Sequence, residues 1–113
     1  MGFFKLNEIE PRELAEGVKI QVFPGERMTM VVFSLKNGAP IPAHSHPHEQ
    51  MGMVMEGKMK MTIGQKEKIV EPGSAWHIPS NVVHSGECLE DDTVVLEYFS
   101  PPREDLVEKI AGP

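Results

Sequence analysis

Hydrophobic and polar residues alternate along much of the chain with a period of two. In residues 50–55 three methionines, called here the methionine stripe (Met51, Met53 and Met55), fall on one face of an extended segment. Gln50, Gly52 and Val54 fall on the other. Residues 58–63 alternate in the same way between apolar and polar side chains. This pattern predicts two β-strands, each with one buried face.

Two further segments, 28–35 and 93–99, are apolar on both faces, as expected for the central strands of a sheet. Turn signals rich in glycine, proline, asparagine and aspartate separate the apolar runs. The 113 residues suffice for one domain with a core, spanning residues 1–113, and are too few for two. We therefore predict an all-β fold, an antiparallel sandwich or barrel.

Only the C-terminal tail has a helical pattern, and we predict one short helix over about residues 101–111. Ser100 can cap this helix, two prolines suit its entrance, acidic residues favour its first turn, and Gly112 can end it. A narrow apolar stripe would dock the helix on the rest of the protein: Leu106, Val107 and Ile110.

The charge and cysteine content exclude several classes of protein. A net charge of −6, with no cluster of more than two basic neighbours, argues against binding to nucleic acids or anionic membranes. Cys88 is the only cysteine, so the chain has neither a disulfide framework nor a cysteine-based zinc site. The N-terminus lacks an apolar run long enough for a signal peptide or a membrane span, and we predict a cytoplasmic protein.

The segment PAHSHPHEQ concentrates candidate metal ligands. On a strand, His44 and His46 point to the same face and can converge on one ion. Pro47 interrupts regular pairing, so a tight turn follows, and Gln50 opens the next strand. His84, after a turn and a short extended run, is the candidate for a further ligand. We expect three histidines and one amide to form the site.

Alternatives to this ligand set remain at the level of the sequence. Glu49 could replace Gln50, but strand parity and the spacing to Gly57 favour Gln50, and Glu49 should then face away. The histidines could also be polar residues of a metal-free barrel. His48 and His77 are expected to be structural or surface residues.

The amide affects the chemistry of the site. Three neutral imidazoles and a neutral amide leave a divalent ion with its full charge of +2, which favours Lewis-acid chemistry and binding of a carboxylate or enolate. The same charge disfavours oxidised states of the metal. Zinc, nickel, manganese, iron and cobalt are all compatible with these donors.

The segment VVLEYFSPPRED is the second informative stretch. Glu97 and Phe99 share one strand face, and Arg103 follows a Pro-Pro turn. Near a metal they could supply proton transfer, a stacking wall and a carboxylate clamp. Alternatively, Glu97 pairs with a lysine on a neighbouring strand, Phe99 belongs to the core and Arg103 lies on the surface.

The spacing of the ligands resembles that of the cupins. Gly38-x5-His44-x-His46-x3-Gln50-x6-Gly57 is similar to the first cupin motif, with glutamine where glutamate is usual, and Gly73-x5-Pro79-x4-His84 is similar to the second. The resemblance implies a single-domain cupin barrel, a jelly roll or double-stranded β-helix, with the metal inside. Small cupins are commonly dimers, which favours a homodimer interface for the methionine stripe over packing against a second sheet or the N-terminal segment.

One cupin group, the pectin-degradation proteins, is similar to this chain at both HSHPHEQ and FSPPRED. In that group an acidic residue, a phenylalanine and an arginine, here Glu97, Phe99 and Arg103, are the proposed catalytic and binding residues. The resemblance implies linearisation of unsaturated uronates, small anionic sugars released from pectin or alginate. The group usually has aspartate in place of Glu97. Two alternatives are a cupin dioxygenase using iron or manganese and a non-catalytic cupin that binds a sugar or metabolite.

Overall fold

Ten strands and two short helices make up residues 2–111, the part of the chain that the computed structural model describes, with side chains through Lys109. A single 3-10 turn, Leu6–Glu8, precedes the first strand. The other elements are β1 (Arg12–Ala15), β2 (Val18–Pro24), β3 (Thr29–Leu35), β4 (Pro40–His44), β5 (Glu49–Glu56), β6 (Met59–Ile63), β7 (Lys66–Val70), β8 (Ala75–Ile78), β9 (His84–Cys88), β10 (Thr93–Ser100) and α1 (Glu104–Ala111).

The strands form two antiparallel sheets. One has six strands in the order β1-β2-β3-β10-β5-β8, and the other has four in the order β4-β9-β6-β7. The predicted all-β fold with one short C-terminal helix is confirmed. The two segments that are apolar on both faces, β3 and β10, lie side by side in the middle of the larger sheet, as expected for central strands.

The core lies between the two sheets and follows the period-two pattern. Val54 and Val95 from the larger sheet pack with Met59 and Met61 from the smaller one, and all four are buried. Their alternate neighbours face outward, so one face of each strand builds the core. The predicted strand faces in residues 50–55 and 58–63 are therefore correct.

The three methionines of β5 lie on the outer face of the larger sheet, away from the core. Met51 is 57% exposed and Met55 49% exposed. The N-terminal segment covers β2 instead: the Gln21 side chain donates hydrogen bonds to the carbonyl oxygens of Leu6 and Ile9 at 2.8 and 2.7 Å. Packing of the methionine stripe against a second sheet or this segment is thus excluded within the described residues.

The C-terminal helix begins three residues later than predicted, at Glu104 rather than at residue 101. Ser100 does not cap it, because this residue ends β10 and its hydroxyl donates to the carbonyl oxygen of Arg27 at 2.9 Å. Instead, the carbonyl oxygen of Arg103 accepts hydrogen bonds from the amides of Leu106 and Val107, both at 3.1 Å. Of the predicted apolar stripe, Leu106 is buried and Val107 packs beside it. Ile110 and the predicted C-terminal Gly112 lie outside the described side chains.

No helix within residues 2–111 is both long enough and apolar enough to cross a membrane.

Gly57 makes the turn between β5 and β6 with a left-handed backbone, φ +87°. A Cβ atom there would overlap Thr93, approaching Thr93 Oγ1 and lying 2.6 Å from Thr93 Cα. Thr93 is buried, and its hydroxyl donates to the carbonyl oxygen of Glu90 at 2.8 Å. Both the backbone conformation and the lack of space therefore require glycine.

We predict that Gly57→Ala lowers the free energy of unfolding by about 2–6 kcal/mol, because left-handed strain and overpacking each cost about 1–3 kcal/mol. Gly73→Ala is the matched control: its φ is also left-handed, at +91°, but nothing lies within 4 Å of an added Cβ. It should show the strain alone. Urea unfolding of both variants measures the difference, and equal losses would contradict the steric argument.

Candidate metal centre

Three histidines converge at one end of the space between the sheets. His44 ends β4 and pairs in register with His84, which begins β9, while His46 follows in the turn. The ring centroids of His44 and His84 lie 4.2 Å apart, and His46 lies 5.0 Å from His84. One ligand nitrogen from each ring lies within 4.8 Å of the others. Ligands about 2.1 Å from a common ion lie within about 4 Å of one another, so a small contraction would fit them to an ion.

Backbone carbonyls fix the orientation of all three rings. His44 Nδ1 lies 2.7 Å from the carbonyl oxygen of Pro42, and His84 Nδ1 lies 2.9 Å from that of Val82. His46 Nδ1 lies 3.0 Å from the carbonyl oxygen of His48. A carbonyl accepts only, so each Nδ1 carries the proton and each Nε2 keeps its lone pair. This tautomer is the one that a metal needs when it binds through Nε2.

The pKa values of two of the histidines favour the neutral, ligating form. Burial lowers the pKa of His46, and the positive charge of Arg103 lowers it further. Burial likewise lowers the pKa of His84, against a smaller opposing effect of its hydrogen bond to Val82. His46 Nε2 is buried and has no hydrogen-bond partner among the described residues. An unpartnered buried nitrogen of this kind is what a metal ligand looks like without its ion.

Gln50 supplies the fourth predicted donor. Its side chain is buried, its Nε2 donates a hydrogen bond to Glu97 Oε2, and its Oε1 finds no partner within residues 2–111. The donated hydrogen bond orients the amide so that Oε1 is the atom left free. Glu49, the alternative ligand, is exposed and lies 2.7 Å from His77 Nε2, so it faces away as predicted.

Glu97 is a buried carboxylate whose surroundings tune its proton affinity. Burial raises its pKa to about 8, while the hydrogen bond from Gln50 and the charge of Arg103 partly oppose the rise. The indole of Trp76 lies beside it, but Nε1 makes no hydrogen bond of normal geometry and contributes little. The alternative in which Glu97 pairs with a surface lysine is wrong, because the side chain is only 8% exposed.

Gly52 provides the room for this carboxylate. It pairs with Glu97 across β5 and β10 and with Trp76 across β5 and β8. An added Cβ would lie 2.9 Å from both Glu97 Cγ and Trp76 Cε2. The two side chains therefore occupy the place that a side chain at position 52 would need.

Arg103 and Phe99 form the wall next to the histidines. The guanidinium carbon of Arg103 stands 4.6 Å from the ring centroid of Phe99, a cation–π distance. Arg103 Nε and Nη2 donate to the two oxygens of Asp105 at 3.0 and 2.9 Å, which lowers the pKa of Asp105. Arg103 Nη1 takes no part in these two hydrogen bonds to Asp105, so a second carboxylate could approach this nitrogen. Phe99 is buried in the core and also 5.9 Å from the His46 ring.

A cavity of about 370 Å³ joins these groups. Its wall includes two of the histidines, the amide, the buried carboxylate and the arginine: His44, His84, Gln50, Glu97 and Arg103. His48 and His77 lie outside the cluster of potential ligands, as expected. The structure thus brings together all seven predicted site residues.

Three features of the site carry no clear signal in the sequence. The carbonyls that orient the histidines are backbone atoms, and their positions depend on strand and turn geometry. Trp76 is recognisable only as an inward-facing residue of β8. Asp105 is recognisable as an acidic residue of the first helical turn, but its bond to Arg103 depends on where the helix begins.

Comparison with known families agrees with this geometry. The family model of the cupin domain matches residues 31–99, more than half of the chain. The chain belongs to the cupin family. This cupin is 28% identical to the pectin degradation protein KdgF of Dickeya dadantii, over 93% of its own length and 97% of that protein.

Solved structures are similar over nearly the whole cupin chain. KdgF from a Halomonas species superposes with a TM-score of 0.90 at 26% identity, covering 94% of this chain and 98% of that one. An RmlC-like cupin from Shewanella frigidimarina gives a TM-score of 0.88 at 25% identity, covering 94% and 96%.

We expect the purified cupin to hold about one divalent ion per chain. His84→Ala should weaken metal affinity at least about 10- to 100-fold. Losing a residue that only hydrogen-bonds to a ligand already costs that much, and this variant removes a ligand itself. His77→Ala, an exposed histidine bound to Glu49, is the control and should keep the metal. Elemental analysis and titration of the chelator-treated protein measure both, and equal metal content in the two variants would contradict the assignment.

Proposed function

We propose that this cupin is a metal-dependent isomerase that opens the ring of an unsaturated uronate to give a linear keto sugar. The similarity to pectin degradation protein KdgF over both full lengths supports the substrate class. The observation that carries the proposal is the buried Glu97, hydrogen-bonded to Gln50 and facing the same cavity as His44, His84 and Arg103.

The metal fits the residues present. His44, His46, His84 and Gln50 Oε1 would hold a divalent ion, which as a Lewis acid would polarise oxygen atoms of the sugar. The amide does not neutralise the ion, but the Glu97 carboxylate sits one hydrogen bond behind it. The proposed ligand set itself carries no negative charge, and an ionisable carboxyl lies next to it.

The reaction is an internal rearrangement that needs no oxidant or reductant. The hydroxyl at the anomeric carbon loses its proton, the bond from this carbon to the ring oxygen breaks, and the enol that remains takes up a proton on carbon. Glu97 would accept the first proton and return one to carbon. A carboxyl with a pKa raised to about 8 is populated in both forms near neutrality, which suits proton transfer in both directions.

Binding of the uronate falls to Arg103 and Phe99. The free edge of the Arg103 guanidinium is positively charged and would pair with the sugar carboxylate. Asp105 and the Phe99 ring hold this guanidinium in place, so its donors are already oriented when the substrate arrives.

We predict that Glu97→Gln lowers kcat for an unsaturated uronate at least about 100-fold, because it removes the proton-transfer group while keeping an acceptor for Gln50. Loss of the substrate's ultraviolet absorbance, followed with and without a chelator, measures the rate. Glu87→Gln on the exposed part of β9 is the control and should be active.

One result would overturn this proposal, and two further results would then decide between its alternatives. No acceleration over the spontaneous reaction in the presence of metal would overturn the isomerase assignment. Oxygen uptake on a substrate panel would then favour a dioxygenase, and binding of a sugar without turnover would favour a non-catalytic cupin.

We also propose that a second copy of the chain covers the outer face of β3, β10 and β5. In register across these strands lie Met30, Tyr98 and Met51, with Leu96 opposite Met53. None of these side chains is charged, although the chain carries −6, so two copies can meet here without opposing their acidic groups. A two-fold dimer needs only one such self-complementary patch.

Met51→Glu should convert the dimer to a monomer, because a two-fold axis would bring two buried carboxylates into the same interface. Ile69→Glu is the control: Ile69 is 62% exposed, but it lies on β7 of the other sheet. Light scattering coupled to gel filtration gives the mass of each variant. A monomeric parent protein, or a dimeric Met51→Glu variant, would contradict the proposal.

A further inference from the structure

The wall of the cavity is polar at one end and apolar beyond it. On three strands a polar site residue lines the cavity, and the residue two positions away on the same strand face, which also lines it, is apolar or lacks a side chain. The pairs, polar member first, are Glu97 and Val95 on β10, His84 and Gly86 on β9, and His44 and Pro42 on β4. The polar groups thus form one layer at one end.

The rest of the wall is hydrocarbon or thioether. It includes side chains from both sheets and from the first strand: Leu14, Val18, Phe33, Leu35, Met59 and Met61. Ser85, next to His84, supplies the remaining polar side chain among the described residues of this wall. Gly86 pairs with Met61 across β9 and β6, and an added Cβ there would lie 3.2 Å from Met59 Cε, so the Met59 side chain packs against the bare backbone at this position.

This division constrains what can fill the cavity. A volume of about 370 Å³ lies at the small end of ligand pockets and accommodates more than a two- or three-carbon acid. A sugar that extended into the apolar part would bury hydroxyl groups without hydrogen-bond partners there, which is unfavourable. An alkyl or aryl group in the same place would lose only its contact with water, which is favourable.

We propose that the cavity binds small carboxylic acids whose other end is apolar, such as aryl- or alkyl-substituted 2-oxo acids. The acid group lies at the Arg103 end, beside the histidines and Gln50, and the apolar substituent extends past Val95 between Met61 and Phe33. The inference deepens the proposed function and rests on it only for the position of the anionic end. A uronate occupies the polar layer alone, so the two kinds of acid compete.

The test compares phenylpyruvate, pyruvate and galacturonate by titration calorimetry on the full-length protein as purified. Phenylpyruvate should bind at least about tenfold more tightly than pyruvate, because the two share one head group and differ in buried apolar area. It should also bind more tightly than galacturonate, which shares only the carboxylate. Equal affinities for phenylpyruvate and pyruvate would overturn the proposal.

Two variants locate the bound ring. Met61→Gln keeps the side-chain length but places an amide in the apolar part, and it should remove most of the preference for phenylpyruvate over pyruvate. Because Met61 is buried and its replacement could impair folding, Leu14→Gln serves as the second variant: Leu14 is half-buried, and the rest of its edge strand β1 is exposed. Pyruvate affinity is the internal control, and an unchanged preference in both variants would overturn the proposal.

The outcomes separate this inference from the proposed function. Turnover of the unsaturated uronate without inhibition by phenylpyruvate leaves the isomerase and removes the apolar ligand. Tight phenylpyruvate binding that Met61→Gln or Leu14→Gln weakens, without any uronate turnover, leaves the apolar ligand and removes the isomerase.

Discussion

The hydrogen bond from the Gln50 amide to the buried Glu97 carboxylate joins the two adjacent strands β5 and β10 where the chemical groups are concentrated. It determines which amide atom is free: with Nε2 committed to the carboxylate, Oε1 is left without a partner among the described residues, next to the histidines. It also keeps a charge-bearing group inside the protein, since an unpaired carboxylate in the same position would be far more costly. The arrangement requires Gly52, because any side chain there would overlap both Glu97 and Trp76.

The positions of the charges follow from this contact. A glutamate in the ligand set would cancel half of the charge of a divalent ion, whereas in the proposed site the neutral amide would bind the ion and the Glu97 carboxyl would lie behind the amide. The ion would then keep its polarising power, and the carboxyl keeps a proton affinity that responds to its surroundings. Arg103 contributes from the other side, lowering the pKa values of both Glu97 and His46. Its own position depends on Asp105 and Phe99, so the charged groups are held by contacts on separate elements, β5, β10 and the start of α1.

Local patterns predicted the strands, and failed where contacts between distant segments decide. Alternation with period two predicted β5 and β6 and the inward face of Gln50, because strand geometry is set by neighbouring residues. His46 lies in the turn beyond the end of β4, so strand parity with His44 does not explain its position. The start of α1 was wrong because Ser100 extends β10 and bonds to Arg27, a contact 73 residues away along the chain. The environment of Glu97 was equally out of reach, since its burial depends on Gly52 and Trp76 from two other strands.

Gln50 and Glu97 are best understood as a pair, which bears on the glutamate that stands where the pectin-degradation group usually has aspartate. An aspartate at position 97 would have a side chain shorter by one carbon–carbon bond, so its carboxyl would lie about 1.5 Å further from the Gln50 amide. A glutamate at position 50 would instead set two carboxylates in contact, and one of them would have to be protonated. Glutamine at position 50 with glutamate at position 97 avoids both difficulties. The neutral amide of Gln50 donates to the longer glutamate side chain, which fits beside Gly52 because that residue has no side chain. Gln50 and Glu97 together therefore place an ionisable carboxyl beside the proposed metal ligands without making it a ligand.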